Sequence, residues 1–180
     1  MKIVHVVGAR PNFMKVSPVW GAIDTLTKYN QILIHTGQHY DLNMSDVFFK
    51  ELKLPIPKIN FGIGSKSHTE QIAQIMIHLE NELNKIKPDL VLVYGDVNST
   101  IATAIVCSKL LIPIAHIEAG LRSFDRTMPE EINRIITDQI SDLLFTPSID
   151  ADINLEFANF FIMNGSDSET FLLEGALIND

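Results

Sequence analysis

KIVHVVGARPNFMK, residues 2 to 15, is the part of this sequence that most clearly predicts how the chain folds. Val and Ile fill four of its first six positions, a composition typical of a strand buried on both faces. Gly8 then permits a tight turn, and Pro11 suits the first turn of a helix, where a backbone N–H is unpaired anyway. A buried strand that runs directly into a helix is typical of α/β proteins with a parallel sheet.

The same alternation of strands and helices continues along the chain. Further apolar runs predict strands at Gln31 to Thr36, Leu90 to Tyr94, Pro113 to Ile117 and Leu143 to Phe145. Two apolar stripes have helical spacing: Ile72, Ile75, Met76, Leu79, Leu83 and Ile86 in one, and Ile132, Ile135, Ile136 and Ile140 in the other. The patterns Ser67-x-x-Glu70 and Thr127-x-x-Glu130 before them fit capping boxes. The sequence therefore predicts an α/β fold, a parallel sheet flanked by helices on both faces.

Composition and charge limit the classes of function. The chain has 180 residues, of which 46% are hydrophobic and 20% charged, as in an ordinary soluble globular domain. Residues 1–148 carry all 14 basic side chains against 15 acidic ones, whereas residues 149–180 carry seven acidic side chains and no basic one. We therefore expect no binding of nucleic acid and no docking on an anionic membrane.

The single cysteine and the N-terminus bear on the compartment. Cys107 lies in the apolar run 101–107, where a buried free thiol is expected, and a single cysteine implies a reducing compartment. The N-terminal apolar run is interrupted by His5 and Arg10 and is too short for a signal peptide or a membrane span. The expected location is the cytoplasm.

Polar residues collect in the loops that follow the predicted strands. Ligands of open α/β sheets bind outside the carboxyl ends of the strands, so a site is expected in these loops. They are GARPNFMK at 8–15, TGQHYD at 36–41, YGDVNST at 94–100 and HIEAGLRSFDRTMPEEINR at 116–134. In the first loop, Arg10 and Lys15 stand beside a helix N-terminus, which favours an anion site over two solvated surface charges.

Three carboxylates belong to the later loops. Asp96 and Glu118 each follow a predicted strand, and Glu130 lies four residues before Arg134 on a predicted helix. Asp96 alone fits a turn residue as well as a site residue, and Glu130 also fits a capping box or a surface ion pair with Arg134. Combined with the two cations of the first loop, these residues predict acid/base chemistry on a substrate that carries a phosphate or diphosphate.

Motifs for other ligands do not occur in the sequence. No G-x-G-x-x-G follows a strand and no G-x-x-x-x-G-K-[ST] is present, so neither a tightly held dinucleotide nor a P-loop nucleotide is expected. The six histidines do not group as metal ligands, and there is no H-E-x-x-H. We expect no metal and no bound cofactor.

Five motifs within residues 1 to about 155 together resemble one family. GARPNFMK, TGQHYD, DLVLVYGDVNST, IPIAHIEAGLRSFDRTMPEEINR and TDQISDLLFTPS resemble the non-hydrolysing UDP-N-acetylglucosamine 2-epimerases. The resemblance implies a glycosyltransferase-B-type fold with two Rossmann-like halves, of which residues 1–148 are the first, and a homodimer. Residues 149–180 are unlike the expected linker and C-terminal domain, which suggests a truncated or frame-shifted product.

The family's reaction accounts for these charged loops. The C2 proton of an N-acetylhexosamine is not acidic enough for simple removal, because no ketone is adjacent. The family is held to eliminate UDP as a carboxylate takes this proton, and then to add UDP back after reprotonation from the other face. Transient oxidation at C3 is the other route, and it would need a nicotinamide site. The resemblance implies interconversion of UDP-GlcNAc and UDP-ManNAc for surface polysaccharide precursors.

The resemblance assigns catalysis to the three carboxylates. Asp96, Glu118 and Glu130 would surround the sugar, and Arg134 would orient Glu130 and Glu118. Which carboxylate removes the proton and which returns it stays open.

It assigns substrate binding to four further residues. Arg10 and Lys15 would contact the diphosphate or order their loop, and Gln38 and His39 would lie near the cleft. In some members the matching Gln-His segment belongs to a regulatory sugar-nucleotide site, but the residues that follow it here depart from that pattern.

Three other functions stay open at this point. Epimerases of UDP-2,3-diacetamido-hexuronic acids carry the same motifs. An inactive half-domain that binds a sugar nucleotide together with a partner would also keep them. A glycosyltransferase-B-type transferase shares the architecture, although the run from HIEAGLRS to PEEINR fits the epimerases better.

Overall fold

The computed structural model describes residues 1–26, 29–38 and 46–156, which form one sheet of parallel strands with helices around it. The strands are β1 (Lys2–Val7), β2 (Asn30–His35), β3 (Ile59–Asn60), β4 (Leu90–Tyr94), β5 (Ile114–Ile117) and β6 (Leu143–Phe145). Their order across the sheet is β3-β2-β1-β4-β5-β6, so the direction of winding reverses between β1 and β4. Sheets of this type bind their ligands at such a reversal.

The helices connect the strands and cover both faces of the sheet. Within the described residues they are α1 (Arg10–Leu26), α2 (Asp46–Glu51), α3 (His68–Ile86), α4 (Asn98–Leu110), α5 (Pro129–Ile140) and α6 (Ile149–Glu156). None of these helices is long and apolar enough to cross a membrane.

The predicted strands are confirmed to within one residue at each end, because most of their positions face an apolar core on one side of the sheet or the other. In β1, Ile3 and Val7 pack with α1 on one face, while Val4 and Val6 pack with α3 and α4 on the other. All five residues of β4 are buried. β3 has two residues and leaves no such pattern, so the sequence did not predict it.

Cys107 is fully buried in α4, as predicted. Burial, with a smaller contribution from nearby Asp142, raises the pKa of its thiol to about 12. A thiol that stays protonated and inaccessible has the properties of a core residue rather than of a reactive one.

The predicted capping box before α3 is confirmed for one of its two bonds. Ser67 is the N-cap, and its Oγ accepts from the backbone N of Glu70 at 3.2 Å. The Glu70 carboxylate accepts from Lys66 Nζ at 2.5 Å, so its ion pair lies on the solvent side of the turn. The side-chain bond from Ser67 is the stabilising part of this cap.

The capping box predicted at Thr127 is wrong. α5 begins at Pro129, and its N-cap, Met128, makes no side-chain cap bond. Thr127 instead donates from Oγ1 to Asp125 Oδ1 at 2.6 Å, inside the preceding loop. The N-cap of α4, Val97, likewise makes no side-chain cap bond.

α5 is confirmed as a helix, but its fully buried side is polar. The four isoleucines of its predicted apolar stripe are only partly buried. The fully buried positions, hereafter the polar face of α5, are Glu131, Asn133, Thr137 and Asp138. Polar groups are buried at low cost only when they find hydrogen-bond partners. Glu131, Asn133 and Asp138 find theirs in the loops at the edge of the sheet, whereas the Thr137 hydroxyl makes no hydrogen bond within the described residues.

The segment predicted as an atypical tail begins with ordered structure. Its first eight residues form α6, and Asn154 Nδ2 donates to the Gly120 carbonyl at 2.9 Å. Residues 157–180 lie outside the described residues. The division of the chain at residue 148 stays a prediction.

Candidate active site

An ion pair joins two of the predicted site loops at the carboxyl edge of the sheet. The Lys15 ammonium, on the second turn of α1, pairs with the Glu118 carboxylate, which directly follows β5. These side chains remain 33% and 29% exposed, so a ligand at this edge can reach both of them. The structure thus brings together a cation and a carboxylate that are 103 positions apart in the sequence.

Glu118 has an unusual backbone. Its φ is +76°, in the left-handed region that side chains other than glycine rarely adopt. Its N and that of Ala119 donate to the Phe145 carbonyl at 3.0 and 2.9 Å, which fixes the turn against β6. Such a conformation costs on the order of 1–3 kcal/mol, and strained conformations of this kind cluster at active sites. The fold therefore holds the Glu118 carboxylate at the open edge at an energetic cost.

Gly95 makes room for this pair at the end of β4. Its φ is +64°, and a Cβ placed on it would lie 2.9 Å from Lys15 Nζ and 3.0 Å from Glu118 Oε2. Neither the conformation nor the space suits another residue. The turn through Gly95 brings the next residue, Asp96, to the same edge.

Arg134 holds Asp96, which corrects one prediction. Its Nε and Nη2 donate to Asp96 Oδ2 at 2.9 and 2.8 Å, and its Nη1 donates to Glu131 Oε2 at 2.7 Å. The predicted pairing of Arg134 with Glu130 and Glu118 is therefore wrong. α5 presents Glu131, not Glu130, to the side of Arg134 that faces inward.

Glu130 lines a polar cavity of about 250 Å³ beside the N-terminus of α4. The residues around it include Gln38, Lys66, His68, Asn98 and Asn133. The cavity places Glu130 near the predicted site residue Gln38, and its lining residue Asn133 donates to the Asp96 carbonyl at 2.8 Å.

Gln38 has its side chain committed to the protein. It is 5% exposed, and its Oε1 accepts from Ser99 N at 3.0 Å and from Ser99 Oγ at 2.8 Å. It therefore supplies a side-chain acceptor for a backbone N–H at the start of α4, where the N-cap Val97 makes no side-chain bond. His39, the other residue predicted from this loop, lies outside the described residues.

Arg10 is the first residue of α1 and is exposed. Its guanidinium carbon lies 5.1 Å from the centre of the Phe48 ring, a cation–π contact. The predicted cation next to the helix N-terminus is thus present, with its charge accessible.

Asn12 is a site residue that the sequence reasoning missed. It is 2% exposed; its Oδ1 accepts from Gly8 N and Ala9 N, and its Nδ2 donates to the Tyr94 carbonyl at 3.0 Å. It thus ties the turn after β1 to the end of β4. An asparagine four residues after a glycine turn was the available signal.

A buried network behind the site was missed as well. His116 Nε2 donates to the Gly95 carbonyl at 2.8 Å, and Nδ1 lies 2.6 Å from Asp138 Oδ1. Asp138 Oδ2 accepts from Gly120 N at 3.1 Å and from Arg122 Nη1 at 2.6 Å. Asp138 therefore connects the turn of Gly95 with the turn that follows Glu118. In the sequence these residues look like ordinary members of a strand and a helix.

The arrangement suits proton transfer next to an anionic leaving group. Asp96 and Glu118 are carboxylates at one open edge, and the cations Lys15 and Arg134 stand against them. Positioned carboxylates can remove and return protons, while cations stabilise charge that develops on a departing phosphate. No group of histidine, cysteine and carboxylate side chains suited to a metal ion is found among the described residues.

Comparisons with known proteins agree with this arrangement. A family model described as UDP-N-acetylglucosamine 2-epimerase matches residues 22–161. A UDP-N-acetylglucosamine 2-epimerase homolog of Methanococcus maripaludis is 58% identical over 156 residues, which are 87% of this chain and 43% of that protein. The UDP-2,3-diacetamido-2,3-dideoxy-D-glucuronate 2-epimerase of Pseudomonas aeruginosa is 50% identical over 160 residues, 89% of this chain and 45% of that protein.

Solved structures confirm the predicted fold class, a Rossmann-like sheet as in one half of a glycosyltransferase-B-type fold. The Methanocaldococcus jannaschii UDP-GlcNAc 2-epimerase in complex with UDP-GlcNAc and UDP superposes with a TM-score of 0.87 at 48% identity. The match covers 91% of this chain and 46% of that one, so the chain spans about half the length of the relatives it matches. The chain belongs to the UDP-N-acetylglucosamine 2-epimerase family, whose members are isomerases.

Proposed function

We propose that the chain forms the N-terminal part of an enzyme that interconverts UDP-N-acetylglucosamine and UDP-N-acetylmannosamine. The observation that carries this proposal is the turn of Glu118, a carboxylate held at φ +76° beside Lys15 and next to the turn of Asp96. A strained turn that presents a carboxylate at an open sheet edge is typical of a functional site. The bound UDP-GlcNAc and UDP of the Methanocaldococcus jannaschii relative support the substrate class.

In the proposed reaction a carboxylate takes the C2 proton while the bond between C1 and the UDP oxygen breaks. The products are a glycal and UDP, and no electrons are exchanged with a cofactor. A proton then returns to C2 from the opposite face, and UDP adds again at C1. We assign the proton transfers to the set Asp96, Glu118 and Glu130.

The leaving diphosphate needs positive charge, which we assign to Arg10 and Lys15. Arg10 is exposed, and Lys15 is held at the edge by Glu118. Anion contacts of this kind stabilise the transition state in which the C1–O bond breaks. Gln38 and His39 are kept as proposed residues of the substrate cleft.

Turnover by this chain alone is expected to be weak or nil. The chain spans about half the length of its relatives, so we propose that residues beyond it supply the second wall of the cleft. We further propose a homodimer for the longer enzyme, a cytoplasmic location, and a role in making surface polysaccharide precursors.

A second candidate substrate is a UDP-2,3-diacetamido-hexuronic acid. The 50% identity to the Pseudomonas aeruginosa epimerase of such a sugar favours it, because this value is close to the identities with the UDP-N-acetylglucosamine enzymes. The proposed chemistry at C1 and C2 is the same for both substrates. An inactive half-domain that binds the sugar nucleotide is the candidate from a different class.

The test is proton exchange at C2. The chain is incubated in D2O with UDP-N-acetylglucosamine, and in parallel with the diacetamido-uronate, and C2 deuteration and the 2-epimer are followed by NMR. Deuteration that is lost in Glu118→Gln and kept in Glu80→Gln, an exposed acid on α3, supports the proposal. Slow deuteration without such loss would remove Glu118 from the mechanism. If the folded chain binds a substrate at this edge but exchanges nothing, groups beyond this chain are essential for the reaction. Exchange that stays absent in a full-length protein would favour the half-domain candidate.

A further inference from the structure

We propose that Glu131 is a positioning residue, which holds Arg134 against Asp96 and so fixes the direction of the Asp96 carboxylate. This inference rests on the proposed function for the importance of Asp96. Glu131 itself does not reach the open edge, because its side chain is only 2% exposed. Its action is therefore indirect.

The Glu131 carboxylate is fully engaged by the loop before α5. Oε2 accepts from Ser123 N at 2.9 Å and Ser123 Oγ at 3.0 Å, and Oε1 accepts from Phe124 N at 3.1 Å. Burial would raise the pKa of Glu131, but the bonds from Ser123, Arg134 and Phe124 outweigh it and leave the pKa lowered. The carboxylate is thus ionised at neutral pH and cannot turn away.

Arg134 carries this constraint to Asp96. Its Nη1 is bound to Glu131, and its Nε and Nη2 converge on Asp96 Oδ2. The guanidinium is planar and rigid, so the bond from Nη1 to Glu131 also restricts the orientation of Nε and Nη2. The Asp96 side chain is 32% exposed, so its ion pair with Arg134, rather than close packing, sets its direction. Asn133 Nδ2 also donates to the Asp96 carbonyl at 2.8 Å, so α5 grips both backbone and side chain.

Stability alone does not explain an acid at this position. A buried ion pair contributes little net stability compared with well-packed apolar side chains, because both charges must leave water. The neighbouring Glu130 lines the open cavity instead, so two consecutive acids of α5 face different surroundings. Among the described residues, the Glu131 carboxylate accepts hydrogen bonds only from the loop before α5 and from Arg134, the partner of Asp96. A buried acid with such bonds is typical of residues that hold a functional side chain in place.

The test uses the exchange of the Arg134 Nε–H with solvent, measured by ¹⁵N NMR on the whole 180-residue chain. In the wild type this proton donates to Asp96, so its exchange is expected to be slower than that of the exposed Arg126. The glutamine of Glu131→Gln has nearly the same shape as glutamate, but its NH2 group would face N–H donors of Ser123, Phe124 or Arg134. We expect it to speed the exchange of the Arg134 Nε–H about tenfold, as loss of a charge-assisted hydrogen bond would.

Two comparisons separate positioning from general loosening. Glu130→Gln, the neighbouring acid, is expected to leave the Arg134 Nε–H exchange unchanged. In the double variant Glu131→Gln with Asp96→Asn, exchange should be no faster than in Asp96→Asn alone, because both act on one bond. If Glu131→Gln does not fold, Ser123→Ala removes one support of Glu131 and should give a smaller change in the same direction.

Unchanged Arg134 Nε–H exchange in a folded Glu131→Gln would overturn the proposal. Where the C2 deuteration assay detects turnover, Glu131→Gln is expected to lower its rate about tenfold at saturating substrate with little change in KM. Absence of turnover in the wild type is the result expected where residues beyond this chain complete the cleft, and the Arg134 Nε–H exchange decides the role of Glu131 in either case.

Discussion

α3 and α5 flank the same sheet, but their buried sides have opposite chemistry. α3 buries Ile75, Leu79 and Leu83 and one polar residue, Gln71, whereas the polar face of α5 includes Glu131 and Asp138. Burial of an apolar face stabilises in proportion to its area, while a buried polar group stabilises only if its hydrogen-bond partners are in place. α3 therefore serves the core, and α5 orders the loops of the site.

The largest effect that would test this comparison is expected from Asp138→Ala. It leaves His116 and Arg122 without their carboxylate in a buried setting, which should lower the free energy of unfolding by about 3–5 kcal/mol. Urea unfolding measures the loss. Leu79→Ala in α3 should cost about 2–5 kcal/mol through a cavity instead.

The two losses differ in how they can be relieved. Replacing His116 as well should recover part of the cost of Asp138→Ala, whereas no second truncation refills the cavity at Leu79. Glu80→Ala, at an exposed position of α3, is the control and should stay within about 0.5 kcal/mol. A loss below about 1 kcal/mol for Asp138→Ala would mean that α5 is not held by its polar partners.

The next largest effect is expected in the pH dependence of folding stability, because two buried histidines lack an ionic partner. Unlike His116, which faces Asp138, His5 has the neutral partners Tyr94 and Gln31. Burial lowers the pKa of His5 to about 4, and burial likewise lowers the pKa of His35 to about 4. Between pH 6.5 and 4 the unfolded chain binds protons that the folded chain does not.

Stability should therefore be complete above pH 6.5 and fall as the pH drops towards 4. Each pKa unit corresponds to about 1.4 kcal/mol, so each of the two histidines accounts for roughly 3 kcal/mol. Urea unfolding at several pH values measures the slope, and His5→Gln should reduce it by about half. A flat profile between these pH values would show that His5 takes up a proton inside the fold.

A glycine at the site and a glycine in a helix should respond in opposite directions. Gly95→Ala brings a methyl group against Lys15 and Glu118 at a positive φ and should cost about 1–2 kcal/mol. Gly21→Ala in α1, where a Cβ meets nothing within 4 Å, should stabilise by about 0.5–1 kcal/mol. Thermal unfolding of both variants compares them, and a stabilising Gly95→Ala would contradict the crowding at this turn.

The smallest difference concerns the two helix starts. Ser67→Ala removes the side-chain cap of α3 and should cost about 1 kcal/mol. Thr127→Ala removes only a bond inside the loop before α5 and should stay within about 0.5 kcal/mol. Equal losses for the two, measured by urea unfolding, would restore Thr127 as a cap.

The sheet could be predicted from the sequence because its central strands are buried on both faces. Every position of β4 is apolar, and that pattern leaves little choice of structure or register. Once the strands were predicted, the loops after them could be placed as well, because the carboxyl ends of parallel strands share one edge of the sheet. Asp96, Glu118 and Lys15 were found in this way.

The partners of the charged residues could not be predicted. Arg134 has Glu130 four positions before it, and local spacing favours that pair, but the fold supplies Asp96 from another loop. The polar face of α5 was missed because an apolar stripe is taken to mark the buried side of a helix. That rule fails where buried acids find backbone donors, as at Ser123.

The contact between Gly120 and α6 has a mechanical consequence. Gly120 lies two residues after Glu118 at φ +80°, and a Cβ on it would lie 2.5 Å from the Ala151 carbonyl oxygen. The Gly120 carbonyl also receives the bond from Asn154. The backbone of Gly120 therefore lies directly against that of Ala151, so the position of the turn after Glu118 depends on the position of α6.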